Sequence, residues 1–412
     1  MHRSIRVAVT AALAAGVGLL GCSGSTDPGD EPSDDLRARV LAAGLTPLPE
    51  APIYPVENPY VESRAELGRL LFFDPILSGP MDVACSTCHL PRLGFGDGRQ
   101  FAAGAGATGL GPERTEPGPW PLRPMPRNSP TVFNIGHYGR GNATPTSNGT
   151  MFWSGSAFGL EDQVLNPIAA DNELRGTTYA KPVAVDSVLL RLRAVPGYLD
   201  RFRAAFPEVV AASGEAPESV VTHATLRLAL AAYLRELRTP RAPFDLWLAG
   251  DDRALSDRQK AGLELFVGDA GCAACHTGPL LSDFSMHVIG ARQEGLGRDT
   301  TRGDDLGWGE HGGTPYSFRT PPLRQVGATA PYFHAGTAAT LLDVVRFKNA
   351  GVSAHASVAA DRLSPRVRPL GLTDSELDDL VAFLMALTDS VTVLEPLFQA
   401  PASVPSGLEV PR

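Results

Sequence analysis

The chain has 412 residues, of which 43% are hydrophobic and 20% charged, as expected of a globular protein with more than one domain. Its 43 glycines and 36 prolines stay below the level of a wholly disordered chain and predict long irregular loops between compact elements. The formal net charge of −9 argues against a nucleic-acid partner, because neutralising phosphates requires basic surfaces.

The first 21 residues are typical of a signal peptide for export. The basic residues His2, Arg3 and Arg6 precede an apolar run that ends at Gly21, and this run is too short to span a bilayer comfortably. It closes on Leu-Leu-Gly-Cys, which resembles a bacterial lipoprotein cleavage site and predicts lipidation of Cys22. The alternative is an ordinary signal peptide followed by an incidental cysteine.

Residues 22–45 are predicted to form a flexible tether. Ser, Gly, Asp and Pro dominate the first part of this stretch and leave little apolar surface to bury. No later segment of the sequence is long and apolar enough to cross a membrane. We therefore expect a periplasmic lipoprotein whose only membrane contact is its lipid anchor.

The other four cysteines fall in two copies of one pattern, Cys85-Ser-Thr-Cys88-His89 and Cys272-Ala-Ala-Cys275-His276. C-x-x-C-H is the covalent attachment site of a c-type haem, and the histidine of each copy is placed to bind the iron. Redox-active dithiols and a Cys/His zinc site are the alternatives. Two copies in an exported chain, with no cysteine left over, favour two covalently bound haems c.

The sequence around the two copies is also repeated. Residues 66–72 (ELGRLLF) precede the first copy and residues 260–266 (KAGLELF) precede the second, with Gly and Phe at matching offsets and helical apolar spacing. Capping boxes start at Ser256 and Thr373. Further helices are predicted at about 186–206, 217–238, 339–350 and 373–388.

The predicted fold is therefore mainly α, with two cytochrome c-like haem domains related by duplication. We place the N-terminal haem domain at 46–240, the C-terminal haem domain at 241–392 and a C-terminal tail at 393–412. The segment 90–127 holds eight glycines and seven prolines, which excludes regular helix there and predicts a long Gly/Pro-rich loop.

Eight motifs run in order through most of the chain: ELGRLLFFDPILSG (66–79), CSTCH (85–89), RNSPTVFN (127–134), MFWSG (151–155), LEDQVLNPI (160–168), GCAACHTG (271–278), FRTPPLRQV (318–326) and TAPYFHAGTAATL (329–341). With these motifs the chain resembles the bacterial di-haem cytochrome c peroxidase family, which includes the MauG-type enzymes. The resemblance implies that the N-terminal haem reacts with hydrogen peroxide and that the C-terminal haem receives electrons from a small donor, a cytochrome c or a cupredoxin.

Cleaving the O–O bond of peroxide needs an open iron position, two electrons and a group that moves a proton. A carboxylate can move it if its pocket raises its pKa toward neutrality. The resemblance assigns this role to Glu173 and places Gln163 in the same pocket. A solvated loop acid and a surface helix residue are the respective alternatives.

The resemblance also places Trp153 between the two haems, where an indole can relay electrons. The alternative is a core tryptophan, since aromatic side chains bury large areas in any case. The family usually continues Trp-Asp-Gly-Arg, whereas this chain has Trp153-Ser-Gly-Ser. This departure puts a local salt bridge in doubt, but it does not affect the role of the Trp153 indole.

Two further metal-ligand sets follow from the resemblance. A calcium ion between the domains would take the side chain of Asn128 and the carbonyls of Thr329 and Pro331, which are the oxygen ligands that a hard cation prefers. The position of the sixth ligand of the C-terminal haem, usually methionine or tyrosine, carries Lys348. If Lys348 faces solvent instead, Met286, another histidine or water fills that position.

Many family members block the peroxide-reactive haem at rest with a histidine from the loop after the first haem motif. Here residues 90–127 contain no histidine. We therefore expect an open N-terminal haem that reacts without prior reduction, with His137 as the alternative blocking ligand. His334 is either close to the haems or a packed core histidine.

The sequence as a whole predicts a periplasmic di-haem peroxidase. One rival is a MauG-like oxidase that modifies a residue of a partner protein, and another is a di-haem electron carrier without peroxide chemistry. A carrier needs neither Glu173 nor Trp153. The sequence is also compatible with a homodimer.

Overall fold

The computed structural model describes residues 31–115, 125–293 and 304–412. The predicted signal peptide and the lipidated Cys22 lie outside these residues. The described chain is helix-rich with little sheet, as predicted. Its helices are α1 Glu31–Ala42, α2 Glu62–Phe73, α3 Cys85–Cys88, α4 Leu160–Gln163, α5 Asn166–Ala169, α6 Ala184–Ala194, α7 Pro196–Ala205, α8 Pro207–Ser213, α9 Pro217–Val220, α10 His223–Arg235, α11 Pro243–Leu248, α12 Asp257–Val267, α13 Leu341–Ala350 and α14 Asp374–Met385.

Two short antiparallel sheets complete the regular structure of the described residues. They pair β1 Thr150–Met151 with β2 Ala157–Phe158, and β3 Met286–His287 with β4 Phe318–Arg319. None of the described helices combines the length and apolarity that a membrane span requires.

The core of the first haem domain is built on the crossing of α2 and α10. A Cβ atom on Gly68 would lie 1.9 Å from the carbonyl oxygen of Ala229, so only glycine lets the two helices approach this closely. One turn further along, the rings of Phe72 and Tyr233 pack with centroids 5.4 Å apart. The crossing therefore fixes the end of α2 beside the first C-x-x-C-H motif.

The second core repeats this arrangement with α12 and α14. A Cβ atom on Gly262 would lie 1.9 Å from the carbonyl oxygen of Asp379, and the Phe266 and Phe383 rings pack at 5.1 Å. Both predicted capping boxes are confirmed, at the starts of α12 and α14. Each domain thus presents the same helix pair to its haem motif.

The predicted helix over 186–206 is split into α6 and α7 at Val195. Pro196 begins α7 and disfavours helical backbone at the residue before it, which explains the break. The predicted helix over 217–238 is likewise divided into α9 and α10, because Thr222 caps the start of α10 with its side chain.

The prediction of a flexible tether over 22–45 is wrong for residues 31–42, which form α1. Leu36 and Val40 on this helix are buried in the core of the second domain, and the Arg37 guanidinium lies 4.9 Å above the ring of Trp247. The acidic, proline-containing start of the segment hid these few apolar positions, whose partners lie about two hundred residues away.

The C-terminal segment, predicted only as a tail, completes the core of the first domain. Phe398, Val404 and Val410 are buried there, and the Ser406 hydroxyl donates a 2.7 Å hydrogen bond to Asp74. The two ends of the described chain therefore pack on opposite domains: α1 on the second and residues 398–410 on the first.

Candidate active site

The first haem site consists of Cys85, Cys88 and His89, which line a partly open cavity of about 60 Å³. Gln163 and Glu173 line the same cavity, so the structure brings these two residues together with the first C-x-x-C-H motif. Apolar side chains form most of the remaining wall: Phe72, Val83, Ala84, Val132, Val164, Pro167, Leu174, Leu230 and Leu234.

Backbone carbonyls orient the His89 ring. Its Nδ1 lies 3.0 Å from the carbonyl oxygen of Phe95, and since a carbonyl only accepts, Nδ1 carries the proton, which leaves the lone pair on Nε2 to bind a metal. Burial lowers the pKa of His89 and so favours the neutral imidazole. This is the form that coordinates haem iron.

The second haem site consists of Cys272, Cys275 and His276, and its histidine makes the same kind of contact with a backbone carbonyl. The Nδ1 atom of His276 lies 2.8 Å from the carbonyl oxygen of Leu281, and burial lowers its pKa to about 4. Neither the first nor the second pair of cysteines is disulfide-bonded. Both sites therefore offer two free thiols and an oriented imidazole, which fits a covalent haem c.

Among the described residues, Glu173 is the one carboxylate that lines the first cavity. Burial raises its pKa from 4.5 to about 7. Its backbone is fixed from outside, since the Ala105 N–H donates a 2.8 Å hydrogen bond to the Glu173 carbonyl. A carboxyl group with this pKa can both accept and return a proton near neutral pH.

Gln163 ends the single turn of α4, and a buried ion pair anchors that turn. Arg235, the last residue of α10, donates two hydrogen bonds to the Glu161 carboxylate, of 2.9 and 3.0 Å. Asn58 donates a third, of 2.8 Å, to the same carboxylate. Sequence reasoning missed this pair, although Glu161 and Gln163 share one motif, because an arginine ending a helix gives no sign of its partner.

Trp153 lies between segments of both domains. Its indole N–H donates a 2.9 Å hydrogen bond to the Asn128 carbonyl, and its own carbonyl accepts a 2.8 Å bond from the Arg319 N–H. The residue is partly buried. This position at the junction suits a relay.

Arg127 forms a salt bridge close to Trp153. It donates a 2.8 Å hydrogen bond to the buried Ser154 hydroxyl and pairs with Asp305 at 2.7 Å. The carboxylate partner of this arginine therefore comes from a distant segment of the chain.

The predicted calcium ligands come from two segments that touch each other. The Asn128 N–H donates a 2.7 Å hydrogen bond to the His334 carbonyl, which places Asn128 beside the segment that carries Thr329 and Pro331. The side-chain nitrogen of Asn128 donates to the Arg99 carbonyl at 2.8 Å. The side-chain oxygen accepts no hydrogen bond from the described residues and is free to bind a cation.

Lys348 is partly exposed and lies near the cysteines of the second haem site. Burial lowers its pKa, and its charge interacts with those of Cys275 and Cys272. A lowered pKa favours the neutral amine, the form that binds iron. Met286, the alternative ligand, instead lies with its methyl group against Gly155.

Two other histidines are packed away from these roles. His334 stacks on Phe318 with ring centroids 3.7 Å apart, and its Nε2 lies 3.0 Å from the Gln293 amide nitrogen. His137 is fully buried and does not line the first cavity. Burial lowers the pKa of His137 to about 4.

The chain is similar in sequence to known di-haem proteins over most of its length. A model of the di-haem cytochrome c peroxidase family matches residues 62–253. Cytochrome-c peroxidase IdrP1 from Denitromonas iodatirespirans is 36% identical, over 89% of this chain and 90% of its own. Methylamine utilization protein MauG from Methylorubrum extorquens is 35% identical, over 89% of each chain.

A solved structure shows the same fold. It is the crystal structure of a MauG-like protein associated with microbial copper homeostasis, with a TM-score of 0.69, 28% identity and coverage of 86% of this chain and 98% of that one. The chain belongs to the di-haem cytochrome c peroxidase family, which confirms the family predicted from the motifs. It is a haem-dependent peroxidase-type oxidoreductase.

Proposed function

We propose that the protein reduces hydrogen peroxide to water at the first haem site, with electrons that a small periplasmic donor, a cytochrome c or a cupredoxin, delivers at the second. Each turnover takes two electrons and two protons and yields two water molecules. The observation that carries the proposal is the position of Glu173: a carboxyl group with a pKa raised to about 7 in the cavity of the first haem site.

The residues of each site fit a haem. In the first, Cys85 and Cys88 would form the two thioether bonds, and the free Nε2 of His89 would bind the iron. The bound haem supplies an iron atom that takes up peroxide and exchanges electrons. The chain supplies the apolar wall that limits water in the cavity and the groups that handle protons.

Glu173 would accept a proton from one oxygen of hydrogen peroxide and return it to the other oxygen as the O–O bond breaks and that oxygen leaves as water. Such proton transfers typically contribute about 10²–10⁴-fold to a rate. The side-chain amide of Gln163 would orient peroxide by donating and accepting hydrogen bonds. Trp153 would relay electrons between the domains.

We infer that the first haem site is open in the oxidised protein. Residues 90–127 contain no histidine, and His137 is packed outside the cavity. Low-temperature EPR of the oxidised holoprotein should therefore show a sizeable high-spin ferric signal. Two low-spin haems, with slow peroxide reactivity until one electron is added, would contradict the inference.

Stopped-flow spectroscopy of the haem-loaded protein tests the proposed function. Peroxide is mixed with the enzyme with and without a reduced small cytochrome c. Fast, stoichiometric oxidation of the donor is expected of a peroxidase. A long-lived oxidised state that reduced donors barely quench would favour a MauG-like protein oxidase, and no reaction with peroxide would leave an electron carrier.

Three finer features complete the proposal. The matching glycine crossings and histidine contacts support an origin of the two haem domains by duplication. The free side-chain oxygen of Asn128 supports a calcium ion shared with the carbonyls of Thr329 and Pro331. The Leu-Leu-Gly-Cys22 motif supports a lipid anchor.

A further inference from the structure

The Gly-rich segment after the first haem site is held by one buried arginine. Arg114 is 4% exposed, and its guanidinium donates hydrogen bonds to three backbone carbonyls, those of Ala103, Gly104 and Gly109, at 2.7, 2.8 and 2.8 Å. Among the described residues it has no carboxylate within ion-pair distance. A buried charge with only neutral acceptors is costly to desolvate, so this arrangement calls for an explanation.

The three carbonyls belong to the covering loop, which we define as residues 103–109. The ends of this loop are joined by reciprocal backbone hydrogen bonds between Thr108 and Thr115, of 2.8 and 2.7 Å. At the middle of the loop, the Gly106 N–H donates a 2.8 Å hydrogen bond to Asp82. The loop contains no regular helix or strand, so the rest of its shape depends on the Arg114 side chain. A planar guanidinium with donors pointing in several directions is suited to this.

The covering loop lies directly on the peptide of Glu173. The Ala105 N–H donates its 2.8 Å hydrogen bond to the Glu173 carbonyl. A Cβ atom on Gly104 would lie 2.2 Å from the Asn172 carbonyl oxygen and 2.5 Å from that of Glu173. The absence of a side chain at Gly104 is therefore what allows this contact.

We infer that Arg114 is a positioning residue for Glu173: it fixes the covering loop, and the loop holds the Glu173 peptide so that its carboxyl group points into the cavity of the first haem site. The inference rests on the proposed function.

The main test is Arg114→Lys, which keeps the positive charge but loses the planar set of donors. A displacement of a reacting group by about 1 Å can cost about 10²-fold. We expect peroxide turnover to fall about 10- to 100-fold, with both haems attached and an unchanged absorption spectrum. Arg92→Lys, at an exposed position of the same segment, is the matched control and should retain parental turnover.

A double-mutant cycle shows whether Arg114 acts through Glu173. The double variant Arg114→Lys/Glu173→Gln should be no slower than Glu173→Gln alone, because a group that is gone cannot be misplaced. Losses that multiply would overturn the inference. If Arg114→Lys keeps parental turnover while Glu173→Gln is inactive, the inference about Arg114 is overturned and the proposed function stands. If Glu173→Gln is active, both the inference and the proposed function are overturned.

The pH profile separates positioning from a general loss of structure. The parental profile should reflect a group titrating near the pKa of about 7 that burial gives Glu173. In Arg114→Lys this apparent pKa should move toward the ordinary value of 4.5, because the displaced carboxyl meets water. A lower rate with an unmoved profile would contradict the inference.

Gly104→Ala provides a second route if Arg114→Lys does not fold. It pushes the loop away from Glu173 while leaving Arg114 intact, and it should lower turnover and shift the profile in the same direction. Gly96→Ala, in the same Gly-rich segment, is its control, since a Cβ atom there meets no atom closer than 3.5 Å and the backbone is not left-handed. Equal losses in both glycine variants would attribute the effect to loop strain and overturn the inference.

Discussion

The two haem sites are held by the same arrangement of helices and histidine contacts, but different residues lie opposite the haem histidine in each. In each, a glycine lets two helices cross closely, a phenylalanine packs near the haem histidine with ring centroids 6.4 Å apart, and a backbone carbonyl orients that histidine. The first site then faces Gln163 and Glu173, whereas Lys348 lies against the second. The shared helix pair thus determines how each haem is held, whereas the few residues that line each site determine the chemistry of its haem.

The largest loss of peroxide turnover is expected when the carboxylate of the first site is removed. Glu173→Gln keeps the size of the side chain and its surroundings but cannot take up a proton, so peroxide turnover should fall about 10²–10⁴-fold. Haem content and both absorption spectra should match those of the parent. Turnover within a factor of two of the parent would remove Glu173 from the mechanism.

The same residue predicts the direction of the pH dependence. Because Glu173 begins as a proton acceptor, turnover should rise as the pH increases through its pKa of about 7. The Glu173→Gln variant should lose this rise, which a steady-state rate profile would show. The carboxylate beside Cys275 in the second site is Asp283, and its pKa is lowered rather than raised. The rate at which the donor reduces the second haem should therefore not follow the same curve.

Breaking the ion pair behind Gln163 should destabilise the first domain. Glu161→Gln leaves Arg235, which is 1% exposed, buried without its counter-charge, and the loss of one partner from such a pair costs about 3–5 kcal/mol of unfolding free energy. Glu395→Gln breaks the exposed pair with Arg241 and should cost about 0–1 kcal/mol. Chemical denaturation measures both, and equal values would mean that burial of the pair does not matter.

The two helix crossings should respond alike to an added methyl group. Gly68→Ala and Gly262→Ala each place a Cβ atom 1.9 Å from a carbonyl oxygen, and such overpacking costs about 1–3 kcal/mol. Gly197→Ala, within α7, meets its nearest neighbour at 3.3 Å and should be neutral or slightly stabilising. Thermal unfolding of the three variants would show whether the crossings are equivalent, and a cost at one glycine only would break the comparison.

The smallest expected effect concerns the second haem site. A methionine ligand raises the potential of a haem, so Lys348→Met should raise the potential of this haem alone and introduce a methionine–iron charge-transfer band. A spectroelectrochemical titration of both haems measures the change. An existing high-potential couple with that band in the parent would rule out Lys348 as the ligand.

The sequence was sufficient for everything that depends on local pattern. Both haem motifs, the capped starts of α12 and α14 and the shared cavity of Glu173 and Gln163 could be predicted, because their residues either lie close in sequence or match motifs of the family. Features made by distant partners could not. The Ser406–Asp74 bond spans 332 residues, and neither residue carries a signal for the other.

The same reason explains the errors at the two ends. Leu36 and Val40 are isolated apolar residues in an acidic stretch, and they become helical because the second domain offers a surface to cover them. Arg114 is one of several arginines in an irregular loop. Only the folded backbone shows that its donors meet three carbonyls.

The crossed packing of the chain ends has a consequence for how the protein is made. Residues 398–410 supply part of the core that surrounds the first haem site, so that domain cannot close until the last stretch of the chain has been synthesised. Domains usually fold in order from the N-terminus as they emerge. Here the domain begun first is finished last, and a chain cut short near its end would leave the earlier half of the molecule incomplete.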